Sequence, residues 1–544
     1  MTTTERGPTT RPRSPWTPLR HRVFLALFVA QLASNVGTLM QNVGSAWLMG
    51  DLGASASLVA LVQTAIFLPV LLVGVPAGAL ADIVDRRRLL LATQTWMMVS
   101  ALALAVLAFA DVITPTLILA LTFALGVGTA LNGPAWQAIQ PDLVPREDMG
   151  QAIALGALTY NVGRAIGPAV GGLIVAAAGP AWVFLLNAAS FVGILLVLSR
   201  WRPPKRETRL PAESLAAATR SALRYGANAP LLRSILVRTL AFVLPAAAVQ
   251  ALLPTVVREG LGMGSGRYGV LLGCFGLGAV SSALVRPRME ARFSFDVLHA
   301  GATAALVATL LVQGLVARFW VLVVALFLGG WGWTTATTTT NISAQRTLPS
   351  WVRARGLGVY LVAITGGVSI GSAIWGAVAD WSLQGAHLLA AGFSGAGLAA
   401  VRRWPLARSG ERDLSLVPGN APSVVLEPQG TDGPVLVTVV YVVPAHDVDA
   451  FLDAMRPVEA HRRRTGAYRW ELFRDLADPE QFVEAFHVQS WAEHLRQHQR
   501  LTASVDADMA VVRRFMRAPA SVTHLISAYG VGEAGAHPID HRAD

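Results

Sequence analysis

Hydrophobic residues come in long blocks along this chain, and the charged residues fall between the blocks rather than inside them. About twelve apolar runs are long enough to cross a bilayer as helices, near residues 23–48, 58–81, 89–110, 115–138, 149–178, 181–198, 234–257, 268–285, 297–316, 319–341, 356–379 and 385–400. A hydrophilic segment, residues 200–233, separates the sixth run from the seventh, and from Arg402 the composition becomes that of a soluble protein. The period changes there as well. Residues 435–443 alternate and are β-rich, 445–464 read as helical, 468–475 and 481–489 as a strand pair across Ala477-Asp478-Pro479, 491–500 and 506–517 as helical, and 521–527 as a last strand.

This pattern predicts an all-α polytopic membrane protein of 12 transmembrane helices, followed by an α+β ferredoxin-like domain of order β-α-β-β-α-β. The expected divisions are a cytoplasmic N-terminal tail (1–22), an N-terminal six-helix bundle (23–199), a cytoplasmic central loop (200–233), a C-terminal six-helix bundle (234–401), a linker (402–433), the ferredoxin-like cytoplasmic domain (434–530) and a disordered tail (531–544). Within the central loop, residues 215–225 suit either an amphipathic helix on the inner membrane face or a solvated linker helix.

Composition sharpens the class. Of 544 residues, 53% are hydrophobic and only 14% charged, where soluble domains carry about 25% charged residues. The formal net charge of +11 would suit a nucleic-acid binder, but its distribution does not. Arg86, Arg87 and Arg88 follow the second run, the central segment is Arg-rich, Arg286, Arg288 and Arg292 follow the eighth, and Arg346, Arg353 and Arg355 follow the tenth. The intervening loops are nearly free of Lys and Arg, with Arg258, Arg267 and Arg318 as exceptions. This bias puts both termini and the central loop in the cytoplasm and makes the lipid bilayer, with no nucleic acid, the expected macromolecular surroundings. The first 22 residues lack the apolar core and cleavage site of a signal peptide, so the first span is expected to be the uncleaved insertion signal. Cys274 is the one cysteine, so no intrachain disulfide can form. No Gly-x-x-x-x-Gly-Lys stretch points to direct use of ATP.

The fifth run carries the densest pattern. In Gly163-Arg164-Ala165-Ile166-Gly167-Pro168-Ala169-Val170-Gly171-Gly172, three glycines recur at every fourth position and so share a helix face. That face marks either an ordinary close helix contact or a functional one. Arg164 lies within the apolar run, where a charge is costly enough to imply a function or a buried partner. A shift of 204 residues places Gly163, Gly167 and Gly172 on Gly367, Gly371 and Gly376, and Pro145 on Pro349. Two related halves of six spans facing one another are typical of alternating-access transporters.

With these residues in view, the chain resembles the major facilitator superfamily over almost its whole length. Gly78-Ala-Leu-Ala-Asp82-Ile-Val-Asp85-Arg86-Arg87-Arg88 is similar to the superfamily's signature loop, with Ile83 where a basic residue is usual and Asp85 where a glycine is usual. The Gly163–Gly172 stretch resembles the fifth-helix motif associated with exporters. Asp85-Arg86-Arg87, Arg164, Ala251-Leu-Leu-Pro254 and Tyr268-Gly269 resemble the bacterial branch that includes the enterobactin exporter, and the tail fits the group known as transmembrane secretion effectors. The resemblance implies the major facilitator fold in a bacterial inner membrane, export of a small organic molecule such as a siderophore or drug by alternating access, and proton antiport.

The residues carry specific expectations. Asp82 would accept hydrogen bonds from a facing helix and pair with Arg86 or Arg87 only when the inner side is closed; otherwise it is a helix-end charge and the arginines are topology anchors. Arg164 would meet an anionic or catecholate-like substrate, or else backbone carbonyls. Arg238, near a span end, is expected to snorkel. Gln31, Asn35, Gln41, Asn42, Gln63, Asn132, Asn161 and Gln250 would either line the path or make interhelical hydrogen bonds, and of these Gln31, Asn35, Asn132, Asn161 and Gln250 join Arg164 as the candidate path. No Asp or Glu lies in the middle of a span; Asp51, Asp82, Asp111, Asp380 and His299 are all near span ends, so no proton relay is evident.

In the tail, Phe486-His487-Val488-Gln489-Ser490-Trp491 and the stretch from His494 through His498 resemble the antibiotic-biosynthesis monooxygenase type of dimeric α/β barrel. His487, His494 and His498 raise the idea of a metal or haem, but an i,i+4 pair is no ligand signature, and surface histidines with no metal and no cofactor are expected. The tail is then an assembly or regulatory module, with a homodimer through it as the expected partnership and no catalytic residue assigned. The competing readings are a membrane-anchored enzyme whose tail is catalytic, and a non-transporting sensor.

Overall fold

A computed structural model describes residues 14–201, 229–349, 351–400 and 428–528, together with 403, 404, 406, 415, 417 and 424. The central-loop segment 215–225 and the terminal stretch 531–544 lie outside the described residues. The helices are α1 (Arg22–Asp51), α2 (Ala56–Ile83), α3 (Arg86–Phe109), α4 (Pro115–Leu143), α5 (Met149–Ala178), α6 (Pro180–Arg200), α7 (Pro230–Ala251), α8 (Ser265–Arg292), α9 (Phe295–Leu315), α10 (Phe319–Thr347), α11 (Arg353–Ala379) and α12 (Leu383–Ala400). Past α7 the chain continues through a turn, Leu253–Thr255, into a π-helical turn, Val256–Gly260. Among the described residues, eleven helices are long and apolar enough to cross a membrane.

Local chemistry sets the short connections. Ser55, Thr114 and Ser294 accept hydrogen bonds from the backbone of Leu58, Leu117 and Val297, capping α2, α4 and α9. Asp85 accepts from Arg88 N at 2.8 Å and caps α3, which accounts for an aspartate where the resemblance leads one to expect glycine. Gly179 sits at φ +92°, with Pro180 opening α6, so one residue turns the chain between two long helices.

The chain forms two compact units. The first comprises residues 1–215, 236–341 and 360–406; the second comprises 216–235, 342–359 and 407–544. In the first, α1 packs on α5 and α6, α2 and α3 on α4, α3 on α6, α5 on α8, and α9 on α12. Its largest buried cluster joins Met40, Trp47, Phe242, Leu253, Tyr268 and Leu306, drawn from both halves.

The second unit holds β1 (Val435–Val442), α13 (Val448–Thr465), β2 (Arg469–Arg474), β3 (Gln481–Val488), α14 (Trp491–Gln499), α15 (Ala503–Arg513) and β4 (Ser521–Ile526). The strand order is β2-β3-β1-β4, and every neighbouring pair is antiparallel. Val435, Val437, Val439 and Tyr441 of β1 alternate inward with Phe482, Phe486 and Val488 of β3 and pack on Phe451, Met455 and Val458 of α13. One inward position is charged. Glu484 is fully buried and accepts from Arg462 Nε at 3.0 Å, Trp470 Nε1 at 2.8 Å and the Tyr441 hydroxyl at 2.8 Å. Burial alone would raise its carboxyl, but the Arg462 guanidinium and these hydrogen bonds hold it below the usual carboxylate range.

Within the expected linker, Val417 N donates to Leu501 O at 3.0 Å and Ala503 N to Ser415 O at 2.9 Å, which ties these two residues to the backbone beside α15.

Candidate functional site

The glycine stretch of α5 presents two faces to two different helices. Cβ atoms built on Gly163, Gly167 and Gly171 would stand 3.1 Å from Asn35 Cβ, 2.9 Å from Leu39 Cβ and 2.8 Å from Met40 Cα, all on α1. One on Gly172 would stand 2.6 Å from Ser265 O and 2.7 Å from Gly269 Cα, on α8. The first contact lies within the N-terminal half; the second joins the halves. The 204-residue relation holds contact for contact. Gly367 and Gly371 of α11 press on Val243 and Leu244 of α7, the partner within their own half. Gly376 reaches across to α2, where its Cβ would stand 2.7 Å from Ala60 Cβ and 3.0 Å from Ser57 Cα.

The junction between the halves runs from the Asp51 end of the bundle to its middle. At the end, Arg258 donates to Asp51 at 2.8 Å, and Ser57 N donates to Asp380 Oδ1 at 2.9 Å. Further in come Trp47 on Tyr268, with ring centroids 6.0 Å apart, and Thr64 Oγ1 donating to Ser369 O at 2.9 Å. Gly276 against Arg164 O and Gly366 against Leu71 lie near mid-helix. Toward the arginine-rich end, Ile153, Ala154, Ala157, Leu158, Tyr160 and Asn161 of α5 are exposed, as are Ala283, Leu284 and Val285 of α8.

Arg164 sits where the tight junction stops. Its guanidinium lies over the rings of Phe275 on α8 and Trp333 on α10, 5.4 and 5.9 Å from their centroids. A cation over two aromatic faces is a cation–π arrangement that spans the halves. No periodicity links Arg164 with Phe275 or Trp333, so sequence reasoning did not find these partners. It also missed the pair Asp51–Arg258, although Arg258 stood out as a basic residue in a loop otherwise poor in them.

The other expected residues separate. Gln31 donates to Asn35 at 3.0 Å and Asn35 to Thr159 at 3.0 Å, a ladder from α1 to α5 beside Gly163. Asn132 accepts from Thr93 and Gln94 at 3.3 and 3.2 Å, tying α3 to α4. Gln41 accepts from Asn187 at 2.5 Å and is buried. Asn161 is exposed on the free part of α5, and Gln250 is half-buried in α7. Gly78 and Asp82 belong to α2, but their side chains lie outside the described residues. Arg86 donates to Ala138 O at 3.1 Å, and Arg87 to Leu198 O and Ser199 O at 2.7 and 2.5 Å. These arginines therefore cap the ends of α4 and α6 inside their own half. Arg238 does not snorkel: it is 3% exposed and paired with Asp296 at the start of α9. His299 is buried in α9 with its ring against Phe242.

In the second unit, the surface-histidine expectation fails for His494, which is 2% exposed; His487 and His498 are half-buried. His494 instead meets His498 and His524, a strand residue that sequence reasoning did not single out.

A family model described as transmembrane secretion effector matches residues 13–529. The enterobactin exporter of Shigella boydii is 28% identical over 389 residues, covering 69% of this chain and 89% of that protein. The staphyloferrin A transporter of Staphylococcus aureus is 31% identical over 165 residues, covering 30% of this chain and 42% of that protein, so the match spans less than half of that relative. Among solved structures, the nucleoside transporter NupG aligns with a TM-score of 0.61 at 12% identity, over 70% of this chain and all of that one. A bacterial homologue of the human lysosomal transporter Spinster aligns at 0.55 and 16% identity, over 72% of this chain and 98% of that one. At such identities these likenesses show the fold alone.

Proposed function

The chain belongs to the transmembrane secretion effector family, and on that premise we propose that it is a secondary active exporter of a small organic molecule, siderophore or drug-like, working by alternating access with proton coupling. The relatives' names support small-molecule transport: one is an enterobactin exporter and one a staphyloferrin A transporter. The observation that carries the reading is the paired junction, with Gly172 against the backbone of Ser265 and Gly269 and Gly376 against the Ala60 methyl and the Ser57 backbone, which closes one end of two related halves. Such a contact is either made or broken as a unit, which is what a gate between two rigid halves requires.

We count Leu383–Ala400 as the twelfth span, which returns the chain to the side where it began. The arginines that follow α2, and those at the C-terminal ends of α8 and α10 and the start of α11, support a cytoplasmic placement of that side, and of both termini with it, under the positive-inside rule. The gate at Asp51–Arg258 and Ser57–Asp380 then faces outward and is shut, and the exposed stretches of α5 and α8 belong to an inward-open state. Arg164 over Phe275 and Trp333 is the proposed substrate contact, a cation set among aromatic faces that suits a catecholate or other anionic aromatic molecule. The signature loop, Gly78, Asp82, Asp85, Arg86 and Arg87, is assigned to the inner gate that forms in the opposite state. The residue ranges 1–22, 23–199, 200–233, 234–401, 402–433, 434–530 and 531–544 stay as the proposed divisions, with the backbone bonds of Ser415 and Val417 joining the linker to the tail. The β-α-β-β-α-β order and the strand order β2-β3-β1-β4 support a ferredoxin-like, monooxygenase-type tail. We assign that tail an assembly role, through a homodimer, rather than an enzymatic one.

The test is uptake into inside-out bacterial membrane vesicles energised by a proton gradient, with dyes, drugs and a catecholate siderophore as cargo. Uptake that collapses with an uncoupler, and that falls in Arg164→Ala and Asp82→Asn, is the expected result. Uptake indifferent to the gradient overturns proton coupling, and full uptake in both variants overturns the assigned roles.

A further inference from the structure

Three histidines of the tail form a cluster that the transport reading leaves idle. His494 and His498 stand one turn apart on α14, with ring centroids 5.0 Å apart. The third comes from β4. The register sets His524 opposite Val437 of β1, and Val437 opposite Phe486 of β3, on the buried face of the sheet. That register brings the His524 ring to 4.9 Å from His494. One ring nitrogen from each histidine lies within 4.8 Å of the other two. All three line a cavity of about 590 Å³, walled by Val437, Val439 and Met509 among others.

His494 is held in place by its neighbours. Its Nδ1 is 3.2 Å from Gln497 Oε1, and the Gln497 amide nitrogen donates to Thr465 Oγ1 at 3.5 Å. That second bond orients the amide so that its oxygen accepts from Nδ1–H, which leaves a lone pair on Nε2. Nε2 is buried with no hydrogen-bond partner among the described residues. Fixing one ring nitrogen so that the other presents its lone pair is how outer-shell groups prepare a metal-binding histidine. Burial pushes the His494 ring down to about 4 and lowers His498 and His524 as well. Arg462 also lines the cavity, but its guanidinium is matched by Glu484 at 3.0 and 3.3 Å.

We propose that His494, His498 and His524 bind one divalent transition-metal ion, with the fourth coordination position facing the cavity and open to an oxygen or nitrogen donor of a small ligand. Three imidazoles suit zinc, cobalt, nickel or copper, and not magnesium or calcium, which take oxygen ligands. Metal–nitrogen bonds of about 2.0–2.1 Å in a tetrahedron bring the nitrogens to roughly 3.3 Å from one another. Rotation of the half-buried His498 and His524 rings closes the remaining gap from at most 4.8 Å.

The test uses the full chain in detergent with its affinity tag removed, stripped by chelator and titrated with Co²⁺ and then Zn²⁺. One Co²⁺ per chain with the strong visible bands of a four-coordinate site, displaced by Zn²⁺, is expected. Gln497→Leu should weaken binding by about 10–100-fold. His494→Ala and His524→Gln should each weaken it more than Gln497→Leu does. His446→Ala, a change at a solvent-exposed histidine, should leave it unchanged. His524→Gln, whose residue is only half-buried, guards against a loss caused by misfolding, provided that its thermal melt matches the parent. Binding that survives the His494→Ala/His524→Gln double variant, or no saturable Co²⁺ site in the parent, overturns the proposal.

Discussion

Gly172→Ala tests the gate with a single methyl group. The new Cβ would stand 2.6 Å from Ser265 O and 2.7 Å from Gly269 Cα, both backbone atoms that cannot rotate aside. Ordinary contact begins near 3.4 Å, so α5 and α8 must separate by roughly 0.8 Å at the point where they now touch. Overpacking of this kind costs about 1–3 kcal/mol. The helix-propensity gain of Ala over Gly applies with either end of the transporter open and so cancels from the comparison. The whole penalty therefore falls on the state with the Asp51 end shut, and it shifts the balance away from that state by about 5–150-fold. The assay is a distance measurement between spin labels at Leu52→Cys and Gly264→Cys, two exposed positions at this end, in a Cys274→Ser background. A longer-distance population should grow in Gly172→Ala and equally in Gly376→Ala, while transport falls. Gly163→Ala, which presses on Asn35 inside one half, should alter thermal stability without moving the distance distribution. Unchanged distributions in both Gly172→Ala and Gly376→Ala would show that the Gly172 and Gly376 contacts do not form a gate.

Arg164→Lys keeps the charge but not a planar guanidinium spread over Phe275 and Trp333, so transport of aromatic anions should fall several-fold, read as a raised half-saturation concentration in vesicle uptake. Glu484→Gln leaves the Arg462 charge without its partner, which should destabilise the tail by about 3 kcal/mol and raise amide exchange across β1 and β3 in the intact chain. Because the folded Glu484 carboxyl lies below its ordinary value, its contribution is complete above roughly pH 4.3 and is lost as pH falls through the lowered value. Acid melting of the parent should therefore steepen in that range and flatten in Glu484→Gln.

The apolar blocks made the helices legible because each run must satisfy its backbone within itself. The 204-residue relation was legible because close packing of related halves leaves glycine little freedom to vary in register; Gly163, Gly167 and Gly172 meet the same kinds of partner as Gly367, Gly371 and Gly376. What the spacing did not show is that Gly172, one residue past Gly171, turns about 100° away and meets α8 instead of α1. The aromatic partners of Arg164 and the third histidine of the tail were equally hidden. Each lies far along the chain and is brought in by helix packing or strand register, to which local periodicity is blind. Arg238 misled for a related reason: its position near a span end suits snorkelling, but its partner Asp296 begins another helix.

Alternating access is tested most directly by locking the gate reversibly. A Cβ on Gly266 would stand 3.7 Å from Ala176 Cβ, close to the roughly 3.8 Å that a disulfide needs. The measurement is gradient-driven uptake into inside-out vesicles by Ala176→Cys/Gly266→Cys in the Cys274→Ser background, oxidised and then reduced. With alternating access, uptake stops on cross-linking and returns with reductant. Uptake that continues in fully cross-linked protein would contradict it.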